Sequence, residues 1–169
     1  MQSQQRVERA HIEHRAGGYL VSTDAARLDL RVIHGFLTAC YWSPGIPIET
    51  VSRAIRNSLC FGAYTDDAAG PQVGFARIIS DFATYAYLCD VFVLEPYRGR
   101  GVSKLLMEAV IAHPDLRGLR RLCLFTRDAH GLYTRFGFKP MPDPARYLER
   151  TVPAAELCGE GASDTSRPA

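Results

Sequence analysis

An α/β fold, built on a mixed, mostly antiparallel sheet flanked by helices, is what the sequence predicts, and three features of its patterning predict it. Apolar residues recur at helical spacing over 23–37 and again over 48–58. The period then shortens to that of strands across Leu59–Thr65, Gln72–Ser80 and 84–94, whose short connections suit an antiparallel meander. Finally, a strand, a glycine turn, a helix and another strand follow one another between 84 and 126, the order of a βαβ unit.

Taken in order, Tyr19–Ser22 is a short strand, and Thr23 and Asp24 supply caps for a helix with Leu28, Val32, Ile33, Phe36 and Leu37 on its apolar face. Tyr41-Trp42-Ser43-Pro44-Gly45-Ile46-Pro47 breaks it, and a second helix over 48–58 has Val51, Ile55 and Leu59 on one stripe. The strands Leu59–Thr65 and Gln72–Ser80 are separated by the turn signal Asp66-Asp67-Ala68-Ala69-Gly70-Pro71. A helix over Val102–Ala112 ends at His113-Pro114, because the residue before proline is pushed out of the helical region. An apolar strand over 119–126, a helix over 129–136 and a last strand opening at Gly137-Phe138 complete the domain.

The chain has 169 residues, the size of one ordinary domain. Residues 1–16 and 153–169 show no apolar period and are read as flexible segments, which places the domain at 17–152. No membrane span and no secretory signal is visible, so a cytoplasmic location is expected. The five cysteines form no C-x-x-C pair and have no histidine at zinc spacing, so they read as reduced thiols and no metal is expected. A formal charge of +2 argues against a dedicated nucleic-acid binder.

The chemistry concentrates in the stretch from Asp90 to Met107. An apolar strand, Val91-Phe92-Val93, runs into Arg98-Gly99-Arg100-Gly101-Val102-Ser103, where a helix starts. Glycines let neighbouring N–H groups converge, and the helix start adds unpaired donors and partial positive charge, so the turn is built for an anion. Arg98, Arg100 and Lys104 add cations suited to a diphosphate. Neither the G-x-x-x-x-G-K-[ST] loop nor the dinucleotide fingerprint G-x-G-x-x-G is present.

Two blocks then resemble the GNAT superfamily of acyl-CoA N-acyltransferases. The turn at 98–103 is similar to the family's [Q/R]-x-x-G-x-[G/A] loop, with Ser103 in place of Gly or Ala. About 30 residues on, Ala129-His130-Gly131-Leu132-Tyr133-Thr134-Arg135-Phe136-Gly137-Phe138 resembles the block A-x-x-L-Y-x-x-x-G-F, with Thr126 standing where relatives often carry Asn. The resemblance spans roughly residues 18 to 140. It implies a βαβ acyl-CoA-binding core, acetyl-CoA as cosubstrate bound by residues 98–103, and a strand 91–93 splayed from its neighbour so that its backbone pairs with the pantetheine arm.

Acyl transfer to an amine needs an unprotonated nucleophile, a polarised thioester carbonyl and a proton for the leaving thiolate. Tyr133 is the candidate acid, since a phenol stays protonated at neutral pH. The backbone of Val91, Phe92 and Val93 is implied as the polarising group. Asp90 is the candidate to hold an ammonium or take its proton, because an aspartate inside an apolar strand needs a reason to be there. Asp81, in the turn between two strands, is a second candidate for the amine, and Trp42 with Tyr41 is expected to roof its site through cation–π contact. Cys89 and Cys123 have no base partner that would make them nucleophiles.

The expected activity is transfer of acetyl from acetyl-CoA to a primary amine, of a small molecule or a peptide, by direct attack in a ternary complex. The alternative is a catalytically weak CoA-binding module of the same fold. Nucleic acid and membrane are not expected partners, and a homodimer stays open.

Overall fold

The computed structural model describes residues 9, 11–67 and 70–152. The tail at 153–169 and most of the expected N-terminal segment lie outside them.

Six strands form one sheet in sequence order: β1 (Glu13–Ala16), β2 (Tyr19–Ser22), β3 (Leu59–Thr65), β4 (Gln72–Ser80), β5 (Tyr85–Val93) and β6 (Arg121–Leu124). All neighbours are antiparallel except β5 and β6, which are parallel and joined through helix α3 (Val102–Ala112). The expected mixed sheet and its βαβ unit are therefore present. β1 moves the start of the sheet ahead of the expected edge at 17. Its residues are mostly exposed because it is an edge strand, so it shows no apolar period, and its signal is the turn Gly17-Gly18 that pairs Ala16 with Tyr19.

Both faces of the sheet are covered. Leu105, Leu106, Ala109 and Val110 of α3 pack on one face against Phe61, Ile78 and Leu88. On the other face, Ile33 and Leu37 of α1 (Leu30–Leu37) and Val51 of α2 (Ile48–Arg56) pack against Phe75 and Phe92. The expected first helix starts later than its first cap. Asp24 caps a single 3-10 turn, and Asp29 accepts from Arg31 N and Val32 N to start α1 afresh.

Two further differences matter for the site. The block at 129–136 is a short α4 (His130–Tyr133) followed by a 3-10 turn. The strand expected from Gly137-Phe138 is absent from the described residues, where the chain runs on irregularly to a 3-10 turn at Pro144–Arg146. Pro140, Pro142 and Pro144 explain this, since each removes a donor that a sheet ladder would use. Among the described residues no helix is long and apolar enough to cross a membrane.

Candidate active site

The site begins with an irregularity in β5. Opposite Ala76 of β4, the ladder skips from Phe75↔Phe92 to Arg77↔Cys89, so Asp90 and Val91 bulge against one residue. Asp90 takes a left-handed conformation at φ 53°, which aspartate tolerates better than most side chains. The bulge reverses the facing of the strand. Before it, Ala86 and Leu88 meet the α3 side; after it, Val91 and Val93 do, while Phe92 turns to α1 and α2. Cys89 and Asp90, adjacent in sequence, consequently line the same cleft.

That first cleft, about 240 Å³, lies under α1 and α2. Its walls are apolar apart from Ser43, Tyr87, Cys89 and one ion pair, in which Arg77 Nε donates to Asp90 Oδ2 at 2.7 Å and Arg77 Nη1 donates to Ser58 Oγ at 3.1 Å. Asp90 is thus neither a lone carboxylate nor a core accident. Arg77 was missed in the sequence, although the same signal marked it: a charge inside the apolar run Val73-Gly-Phe-Ala-Arg-Ile-Ile. Burial pushes the Cys89 thiol up to about 12, so it is not a thiolate at neutral pH.

The second cleft, about 450 Å³, opens where β5 and β6 part. β6 pairs with β5 only from Tyr85 to Leu88, so between Cys89 and Val93 the strand is paired on its β4 side alone. Val91, Phe92 and Val93 line the cleft along this open edge. Arg98, Gly99, Val102 and Ser103 close one end of it. Gly99 and Gly101 sit at φ 72° and 84°, Gly101 caps α3, and a Cβ at either would meet nothing within 4 Å. Glycine is required there for backbone conformation, and the helix start beyond it leaves its first N–H groups without partners inside the helix. Arg98 Nε reaches back to the Val93 carbonyl at 3.1 Å, which ties the turn to the end of β5. Arg100 is exposed, 5.9 Å from the Tyr97 ring, and lines neither cleft.

Tyr133 faces this edge from α4. It is 8% exposed, and burial first, then the charges of Asp128 and Tyr41, push its phenol up to about 12. Thr126 does not join it, because its hydroxyl accepts from Ala129 N at 3.0 Å and shapes the turn into α4. Trp42 lines both clefts and forms their common wall, resting on Tyr41 at 4.9 Å between ring centres and on Phe36 at 6.1 Å. Arg127 lies 3.8 Å over the Tyr41 ring and joins the loop after α1 to the loop after β6.

Asp81 is not brought to either cleft. Its carboxylate accepts from the N–H groups of Ala83, Thr84 and Tyr85 and from the Thr84 hydroxyl, which holds it well below the usual carboxylate range and closes the β4–β5 turn. Asp81, expected as a second group for the amine, serves here as a turn cap with both carboxylate oxygens engaged. Among the described residues no group of three His, Cys, Asp or Glu side chains is placed to hold a metal ion.

An open strand edge, a glycine-capped helix start and a buried phenol around one cleft form the arrangement that the two sequence blocks imply. A family model for the acetyltransferase (GNAT) domain matches residues 56–140, which hold all of these elements. The chain belongs to the GNAT family of acetyltransferases. A crystal structure of a GNAT-family protein from Xanthomonas campestris pv. campestris is 55% identical to it, with a TM-score of 0.77 over 83% of this chain and 96% of that one. A protein of Gibberella zeae, whose name proposes an acetyltransferase, is 35% identical over 138 residues, 69% of this chain and 76% of its own length. A GNAT acetyltransferase from Elizabethkingia anophelis, solved with acetyl-CoA bound, has a TM-score of 0.55 over 73% of this chain and 78% of its own at 14% identity, a likeness of fold alone. GNAT acetyltransferases draw on acetyl-CoA, and this GNAT chain is an acyltransferase of that kind.

Proposed function

We propose that this enzyme transfers acetyl to a primary amine of a small molecule or a peptide, with both substrates bound at once in the two clefts that meet at Trp42. The observation that carries the reading is the pairing of the clefts: Tyr133 and the open β5 edge in one, Asp90 in the other, with a single aromatic wall between.

The second cleft fits acetyl-CoA on its own features. Val102 and Ser103 N–H groups with Arg98 hold the diphosphate, where donors and positive charge converge at the start of α3. The backbone of Val91, Phe92 and Val93 pairs with the amide-bearing arm as an added strand would. Acetyl-CoA supplies an acetyl group on a thioester, whose C–S bond breaks as the new amide bond forms.

Tyr133 holds a proton on Oη throughout the neutral range and gives it to the leaving sulfur. Asp90 holds the amine and takes the proton that the nitrogen loses, directly or through water. Proton loss at one cleft therefore balances proton delivery at the other. Half-buried, with its thiol held protonated by desolvation, Cys89 has no part as a nucleophile.

Thermal shift with acetyl-CoA, followed by an amine panel read by free-thiol release, tests the proposal. Stabilisation by acetyl-CoA and amine-dependent thiol release are expected. Stabilisation without release from any amine would favour a CoA-binding module, and absence of both would overturn the reading.

A further inference from the structure

The amine cleft has a charge pattern that selects among amines. Among the described residues, Arg77 and Asp90 are the only charged side chains lining it, and they are 15% and 13% exposed. Their contact uses one atom of each fork, Nε and Oδ2, and Ser58 takes Nη1. Arg77 Nη2 and Asp90 Oδ1 make no hydrogen bond with any described residue, and neither is enclosed without a partner. The cleft therefore offers one unengaged guanidinium nitrogen, Nη2, and one unengaged carboxylate oxygen, Oδ1, on an otherwise neutral, apolar wall.

A simple alkylammonium would bring an uncompensated positive charge to a carboxylate already shared with Arg77, in a setting where unpaired charge is unfavourable. A ligand with both signs brings no net charge and matches each open atom. The remaining walls, Ile33, Val51, Ile55 and Phe75 among them, accept an apolar group. The volume, about 240 Å³, is below the roughly 300 Å³ at which pockets for drug-sized ligands begin. Resting on the reading of this cleft as the amine site, we infer that the acceptor is a free α-amino acid with an apolar side chain, its carboxylate on Arg77 Nη2 and its amino group on Asp90 Oδ1.

The test compares leucine and phenylalanine with their decarboxylated amines and their primary amides. Thiol release is measured with acetyl-CoA, and binding of the same compounds is measured by calorimetry without it. The amino acids should exceed both sets of analogues in kcat/KM by about tenfold or more, the effect of one charge-assisted hydrogen bond. Arg77→Lys keeps the charge but loses the second donor of the fork, and should bring that ratio close to one. Ser58→Ala, which leaves the pair intact, serves if that variant does not fold, and should reduce the ratio less. Amines or amides acetylated as fast as the parent amino acids would overturn the inference and leave amine acetylation standing. Amino acids that bind more tightly than both sets of analogues while no compound releases thiol would uphold recognition of the amino acid by Arg77 and Asp90 and overturn transfer. No binding and no turnover with amino acids would overturn it.

Discussion

At Tyr133 the local physics and the proposed chemistry agree: burial keeps the phenol neutral, and a neutral phenol is what a leaving thiolate needs. Tyr133→Phe should lower kcat about 10²-fold or more while leaving acetyl-CoA affinity in calorimetry unchanged, because only the proton is removed. Asp90 has a double task, pairing Arg77 and completing the bulge. Asp90→Asn preserves the left-handed backbone that asparagine accepts but leaves Arg77 buried without its counter-ion, so chemical denaturation should show a loss of about 3 kcal/mol. Tyr133 was legible in the sequence because a motif carried it, and Asp90 because a charge interrupts an apolar run. Arg77 carries the same signal on the neighbouring strand. What sequence could not supply was the register that sets Arg77 against Cys89 and so brings the two charges together. Asp81 shows the converse, a carboxylate in a suggestive place whose oxygens are all taken by its own turn.

Among the elements, the glycine turn into α3 was readable in full, since backbone conformation follows from residue type there. Gly101→Ala would put a side chain at φ 84° with no steric neighbour, so the change isolates backbone strain. It should destabilise by about 1 kcal/mol in denaturant titration and weaken acetyl-CoA binding in the same preparation, as the helix-start N–H groups lose their aim. The strands of the meander and the crossover helix were equally plain from their periods. β1 was not, because an exposed edge strand buries nothing and leaves no pattern. The strand expected at Gly137-Phe138 failed for the opposite reason: the opening residues fit, and the prolines that follow deny it donors. The bulge in β5 left no trace beyond Asp90 itself, yet it decides which side chains reach each cleft.

Across the whole molecule, burial of neutral acids sets a pH response. Tyr64, Tyr87 and Tyr133, with Cys60 and Cys89, are all pushed up to about 12, in each case first by burial. Their folded values lie above their unfolded ones, so the unfolded chain loses these protons first as pH rises. Their contribution is complete below about pH 9 and is lost between about 9 and 12. Melting temperature should therefore fall steadily above pH 9, and a flat profile to pH 11 would contradict this burial pattern. The partition at Trp42 has a practical consequence of its own. It is the protein's single tryptophan, and it lines both clefts, so intrinsic fluorescence reports from the wall between the proposed donor and acceptor chambers. Titrating either ligand alone should perturb the emission, and the two together should give a spectrum that is not the sum of both. The unlabelled enzyme would thereby disclose the order in which its chambers fill.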